Sequence, residues 1–483
     1  MIGLDAAAPE LLFGDERLTN LRRLMESGCY GRLETVIPPD HVPAWMSMAT
    51  SQDAGSLGVY GPSNRTDHSY TGIALADSGS AGGLTIWDQI AREGKRSVII
   101  GAPPWYPPRE DNGVCIRGFA TPEAGKVRYP NPSSLKDETR KVAGDDYPVD
   151  VSALRGGKKD WLKDQIYDIS RKHFSIVRHY LQSSEWDYFH FVEMGLDRLQ
   201  HGFWRFHDPS HALYSEPNRY QTTITDYYRY LDEEIGALLE LLDDETAVLV
   251  LSDHGAQRAD GGFCINEWLV KEGLLVLNEY PKAITARTDL SINWDKTRVW
   301  GEGGYCARIF LNVKGRGPNG IIDRADYERV REEVRARLEA SQDEAGQNLG
   351  ARAFKPEEIY RRVRGVAPDL IAHFGGLRLR AIEGVGYKAS HIPADGPGLG
   401  GCNHSQYGGF ILASPNNPLS GEIEGAHILD LAPTLLELSG HDVPASMQGK
   451  SLVSGKAQLS GDSNAVSEEE LVRERLSGLG YIS

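Results

Sequence analysis

The chain has 483 residues, 40% of them hydrophobic and 25% charged, which is the composition of a folded globular protein and excludes disorder, collagen and coiled coil. Lys and Arg number 52 against 68 Asp and Glu, and the resulting formal charge of -16 turns the surface against DNA, RNA and anionic lipid. No apolar run reaches the ~18–20 residues of a membrane span, and the start of the chain lacks a basic n-region and a long apolar h-region, so a cytoplasmic protein without a signal peptide is expected.

In chain order, Met1–Leu4 reads as a short strand ending at Asp5, Leu18–Met25 as a helix stopped by Gly28, and Ser97–Ile100 as a buried strand ending at Gly101. Trp161–Gln182 reads as a long helix, Tyr188–Val192 as a strand, Tyr220–Leu242 as a second long helix and Ala247–Leu251 as another buried strand. This alternation predicts an α/β fold, a mostly parallel sheet covered by helices on both faces, with ligands collecting beyond the carboxyl ends of the strands. Between 258 and 391 the texture changes. The helix Arg324–Ala340 is heavily charged, Gly and Pro are frequent, and the strands expected at Ala307–Asn312 and Leu370–Phe374 look less buried. We read residues 258–391 as an α+β insertion, a cap on a core made of 1–257 and 392–456. The core resumes at Tyr407–Ala413 and the helix Ile428–Leu438, and 457–483 reads as an acidic tail with a short helix, Glu468–Ser477.

Several segments share one grammar, in which an apolar strand delivers carboxylates or imidazoles. Met1–Leu4 delivers Asp5, which alone is an ordinary turn former. Ala247–Leu251 delivers Asp253 and His254, followed by Gly255. Asp197 and His201 stand four apart, so a helical turn puts both on one face, as an ion pair or as two ligands. His404 precedes the strand Gly409–Ala413, behind the Gly-rich run Gly396–Gly401. Asp and His together are what zinc, manganese or iron accept, and two such clusters sharing one phosphate form a two-metal clamp. The five scattered cysteines lack C-x-x-C spacing, which argues against disulfides and against a thiolate zinc site.

The order Asp5, Pro43-Ala-Trp-Met-Ser-Met-Ala-Thr50, Asp197-x-x-x-His201, Ser252-Asp-His-Gly255 and His404 resembles the alkaline phosphatase superfamily, in particular its type I phosphodiesterase/nucleotide pyrophosphatase branch and the prokaryotic phosphohydrolase or phosphomutase group within it. The segments His427–Leu438 and Met447–Leu452 are similar to the closing part of these enzymes, so the resemblance spans about residues 1–455. It implies two divalent metal ions, zinc first and manganese second, one held by Asp197, His201 and His404 and the other by Asp5, Asp253 and His254. It also implies hydrolysis of a phosphoric ester, a diester or pyrophosphate before a monoester, with a small phosphorylated substrate as the partner. The oligomeric state is left open.

One position departs from the family. Its Thr or Ser nucleophile stands two residues before the Pro of Pro-Ala-Trp, and here that position is His41. Imidazole can attack phosphorus itself; a metal-activated water can attack with His41 as ligand or base; or the protein binds a phosphorylated ligand without turning it over, since loss of a nucleophile costs orders of magnitude in rate. Pro62 and Ser63 replace a family Phe and Arg, which leaves Asn64 and Arg65 as candidate phosphate contacts. A phosphomonoesterase or phosphomutase is the remaining rival; a sulfatase is disfavoured because no Cys/Ser-x-Pro-x-Arg motif occurs at Val42–Trp45. None of the expected ligands lies in the insertion, whose Trp268, Trp300 and Tyr305 are candidates for stacking on a nucleobase or for core packing.

Overall fold

The computed structural model describes residues 1–80, 82–105, 113–116, 118, 132–144, 149–151, 158–397, 399–415 and 417–454; the acidic tail with its expected helix Glu468–Ser477 lies outside the described residues. The strands Ile2–Leu4, Ser97–Ile100, Tyr188–Glu193 and Val248–Leu251 are buried along their whole length. That is why they read as unbroken apolar runs: a parallel strand covered on both faces has no solvent side. Across the main sheet the order is Gly421–Glu422, Cys29–Glu34, Tyr407–Ala413, Val248–Leu251, Ile2–Leu4, Tyr188–Glu193, Ser97–Ile100 and Gly113–Ile116, with Ala426–His427 also paired to Cys29–Glu34. Every pairing in it is parallel except those of Tyr407–Ala413, which runs antiparallel to both neighbours.

Successive side chains of a strand point to opposite faces, and they feed two cores. Val98, Ile100 and Val250 pack among the helices Thr19–Ser27, Lys159–Ser183, Gly195–His207 and Thr223–Leu239. Ile99, Leu249 and Leu251 pack among His41–Thr50, Ile86–Arg92 and Leu431–Leu438. The sheet is therefore covered on both faces, as expected. No helix among the described residues is long and apolar enough to cross a membrane, and all five cysteines are buried and outside disulfide bonds.

Within residues 258–391, a four-stranded antiparallel sheet runs Val299–Glu302, Ala307–Leu311, Leu370–His373 and Arg352–Phe354, beside the helix Tyr327–Glu339. The expectation that these strands are less buried is corrected: Ile309, Leu370, Ile371 and Ala372 are 0% exposed. Ile309, Leu370 and Ala372 line a core of the segment's own, with Phe263, Phe374, Val330, Val334 and Leu338, which the surrounding Gly, Pro and charge conceal in the sequence, while Ile371 packs with Ala54 and Tyr60. Trp268 and Trp300 belong to that core, Trp300 stacking on Phe310 with ring centroids 4.5 Å apart, so both serve packing.

Candidate metal centre

Three adjacent parallel strands end at one edge of the sheet, with Gly3 opposite Leu251 and Leu4 opposite Glu193. Asp5 follows the first strand, Asp253 and His254 follow the second, and Asp197 lies in the first turn of the helix after the third. His201 falls one turn further along the same helix face. His404 arrives from a ribbon in which Cys402–Ser405 pairs with Gly255–Arg258, placing His404 opposite Ala256. His41 opens the helix His41–Thr50, all ten residues of which are buried. A helix apolar on every side must lie in the interior, and Pro43 fits its first turn, where the missing N–H has no intrahelical acceptor to lose.

Trp45, one turn after His41, donates its indole N–H to Asp5 Oδ2 at 2.8 Å. Its ring presses on the strand at Gly3, where a Cβ would stand 2.3 Å from Trp45 Cη2. Just past Asp5, Ala6 adopts a left-handed φ of 61°, a strain of about 1–3 kcal/mol for a residue with a Cβ. The turn is held because Ala6 N–H donates to Asp253 Oδ1 at 3.2 Å and Gln200 Nε2 donates to the Ala6 carbonyl at 2.8 Å. Gly3→Ala is expected to cost about 1–3 kcal/mol of stability through overpacking and to weaken metal binding by pushing Trp45 off Asp5. Urea unfolding and metal analysis of the variant check this; unchanged values in both would show that the indole can retreat without consequence.

The structure brings together Asp5, Asp197, Asp253, His41, His201, His254 and His404. All are buried except His201, whose side chain is 10% exposed. Asp197 Oδ1 lies 3.3 Å from His201 Nε2 and 3.4 Å from His404 Nε2, while Arg198 holds Oδ2. In the other group His254 Nε2 lies 3.3 Å from Asp253 Oδ2, and His41 Nδ1 lies 2.7 Å from Asp5 Oδ1, 3.2 Å from His254 Nε2 and 3.9 Å from Asp253 Oδ2. His404 Nδ1 donates to the Pro39 carbonyl at 2.8 Å and His254 Nδ1 to the Gly255 carbonyl at 3.0 Å. An imidazole that gives its Nδ1 proton to a carbonyl presents Nε2 as a lone pair, the state in which it ligates metal. Asp253 Oδ2 and His404 Nε2 are buried and make no hydrogen bond among the described residues, and Asp5 Oδ1 is buried against the His41 ring. Convergent buried acceptors of this kind are costly unless a cation satisfies them, so the donor set fits divalent metal.

The electrostatics agree. Burial brings His254 down to about 4 and, helped by His254, holds His404 well below the ordinary imidazole range, so both rings are neutral. Burial, then the charge of Asp5, raises the Asp253 carboxyl well above its usual range. Burial pushes Asp197 in the same direction, yet His201, His41 and Arg198 outweigh it and hold that carboxyl well below. For His41, burial acts downward but the charges of Asp5 and Asp197 prevail and raise it to about 10. Without metal, an imidazolium therefore supplies part of the positive charge that the carboxylates require.

Asn64 and Arg65, expected as phosphate contacts, are engaged elsewhere. Asn64 accepts from the Tyr60 N–H at 2.6 Å and donates to the Gly61 carbonyl at 2.8 Å, closing its own loop. Arg65 is buried in an ion pair with Glu302 at 3.0 Å, its guanidinium 4.7 Å from the Trp300 ring centroid, and so ties the loop to the strand Val299–Glu302. Two groups at the cluster have roles that the sequence did not disclose. Arg198 links Asp197 to Asp150, donating from Nε to Asp150 Oδ1 at 2.8 Å. Tyr305, a candidate for base stacking, instead lies on the cluster, its ring centroid 3.3 Å from that of His404 and its hydroxyl 3.1 Å from His201 Nε2.

The sequence profile of the type I phosphodiesterase / nucleotide pyrophosphatase family matches residues 1–390. No curated protein matches the chain at the sequence level. Among solved structures, phosphonoacetate hydrolase from Sinorhizobium meliloti 1021, in complex with phosphonoformate, is 16% identical with a TM-score of 0.58 over 91% of this chain and 94% of that one. Murine ectonucleotide pyrophosphatase / phosphodiesterase 5, in an inactive form with AMP, is 14% identical with a TM-score of 0.51 over 92% and 95%. The human protein of that name is 13% identical with a TM-score of 0.52 over 92% and 95%. At such identities these structures establish the alkaline phosphatase-like fold.

Proposed function

Because the chain belongs to the type I phosphodiesterase / nucleotide pyrophosphatase family, we propose that it is a metal-dependent hydrolase of a small phosphodiester or pyrophosphate, working in the cytoplasm with two divalent ions. Asp197, His201 and His404 would hold one ion and Asp5, Asp253 and His254 the other, zinc before manganese. The observation that carries this reading is the convergence of the Asp5, Asp197 and Asp253 carboxylates with the His201, His254 and His404 rings, among which Asp253 Oδ2 and His404 Nε2 are buried without a hydrogen-bond partner among the described residues. When bound, the ions would neutralise the phosphoryl oxygens and lower the pKa of bound water. That charge matters on a chain whose formal balance of -16 otherwise repels anions.

The chain's own residues set the rest. Trp45 holds one oxygen of Asp5 and Arg198 one oxygen of Asp197, leaving Asp5 Oδ1 and Asp197 Oδ1 for the ions. His41 Nδ1 points at Asp5, Asp253 and His254, which favours a ligand role over attack on phosphorus. The same observation favours a second reading, a catalytically impaired protein that keeps both metals and binds a phosphorylated ligand. The ligands of the solved relatives, AMP and phosphonoformate, support a small phosphorylated compound under either reading. The segment 258–391 is proposed to choose it.

Metal analysis of the purified protein is expected to find about two ions per chain. His254→Ala should empty one site and His404→Ala the other. Turnover of bis(p-nitrophenyl) phosphate and of p-nitrophenyl phosphate, followed on the same sample, separates diesterase, monoesterase and binding protein. A folded wild type that takes up no ion from excess zinc or manganese would end the proposal.

A further inference from the structure

The metal group formed by Asp197, His201 and His404 offers three donors, and three protein ligands leave one position open in a tetrahedral site. Ligand bonds of ~2.0–2.1 Å make the edges of a regular tetrahedron about 3.3–3.4 Å long. The measured donor separations are 3.3 Å from His201 Nε2 to Asp197 Oδ1 and 3.4 Å from His404 Nε2 to Asp197 Oδ1. The Tyr305 hydroxyl, from the insertion, lies 3.1 Å from His201 Nε2, close to one further edge of the same figure.

The position of Tyr305 is built. Gly304 before it has a φ of +145°, a backbone conformation that favours glycine, and exchanges two hydrogen bonds with Ala381, at 2.9 and 3.0 Å. The ring stacks on His404 at an interplanar angle of 18°, and the Arg380 guanidinium lies over it 4.6 Å from the centroid. His201 Nε2 cannot give its lone pair to a metal and also accept a hydrogen bond from Tyr305. A metal bound at His201 Nε2 would therefore free the Tyr305 hydroxyl from this contact.

We propose that Tyr305 is a further ligand of the metal held by Asp197, His201 and His404, its hydroxyl oxygen filling the position left open by these three. The insertion would then reach into the metal centre, and a substrate phosphoryl oxygen would enter this position by displacing Tyr305. The inference rests on reading the cluster as a metal site.

The test is titration of the metal-free full-length protein with cobalt(II), comparing wild type with Tyr305→Phe, which keeps the ring on His404 and removes only the oxygen. The expected result is at least a tenfold loss of affinity at one of two sites, with a changed d–d absorption band for that site and no change at the other. His404→Ala should remove the same band, which assigns it. If the hydroxyl only competes with metal for His201 Nε2, Tyr305→Phe binds cobalt more tightly, and that result overturns the proposal, as do an unchanged affinity and spectrum. A wild type that binds no metal overturns both this inference and the metal reading, whereas a normal wild type with an indifferent Tyr305→Phe overturns this inference alone. Equal urea midpoints of the two metal-free proteins exclude a general folding defect as the source of the affinity loss.

Discussion

His41→Thr is expected to raise turnover of an activated phosphodiester at least tenfold, which requires only ~1.4 kcal/mol of barrier. By the family resemblance the imidazole stands where a Thr or Ser nucleophile is expected, and it opens a buried helix. Both ring nitrogens face the cluster's own groups, Nδ1 at 2.7 Å from Asp5 and 3.2 Å from His254, and Nε2 at 3.9 Å from Asp197 Oδ2. The charges of Asp5 and Asp197 overcome burial and keep its pKa near 10 without metal, and an imidazolium has no lone pair to offer. Threonine restores a hydroxyl at the helix start, where the positive end of the helix dipole favours developing negative charge. It leaves Asp5, Asp253, His254, Asp197, His201 and His404 in place. Steady-state kinetics with metal content measured in parallel decide the matter. Robust wild-type activity that the substitution abolishes would make imidazole the working group. An inactive variant with full metal content would place the defect elsewhere, the altered loop at Pro62 and Ser63 being the first suspect.

The residues of the cluster are legible where chain direction alone determines position. Asp5, Asp253 and His254 stand directly after apolar strands, and in a parallel sheet such residues collect at one edge. Asp197 and His201 were legible from helical spacing. His404 carried little signal of its own, because its place depends on the pairing of Cys402–Ser405 with Gly255–Arg258, nearly 150 residues earlier in the chain. The strand Cys29–Glu34 escaped notice because alternate residues are exposed or half-exposed, so it lacks the apolar run of its neighbours. The antiparallel direction of Tyr407–Ala413 is likewise a property of its partners and not of its residues. Tyr305 meets His201 across 104 positions of sequence, and no local pattern announces such a contact. Arg198 reads as one more cation on an amphipathic helix, although the structure buries it to 6% exposure.

That burial makes Arg198→Met the substitution with the largest expected cost in stability. Arg198 donates to Asp197 Oδ2 and, from Nε and Nη2, to the Asp150 carboxylate at 2.8 and 3.1 Å. Methionine fills similar space but leaves the Asp197 carboxylate, 1% exposed, without its fixed positive partner. Breaking a buried pair from one side costs about 3–5 kcal/mol, because the remaining charge is stranded away from water. The loss should be largest in chelator, where His201 and His41 remain to offset the Asp197 charge. A divalent ion beside Asp197 supplies the missing charge, and a ligand at a thousand times its Kd adds about 4 kcal/mol of stability. Urea unfolding of wild type and variant, each with chelator and with saturating zinc, should therefore show a gap that narrows when metal is present. A gap of the same size in both conditions would mean that no ion sits against Asp197, and a gap under about 1 kcal/mol in chelator would mean that Asp197 is already neutral or reached by water.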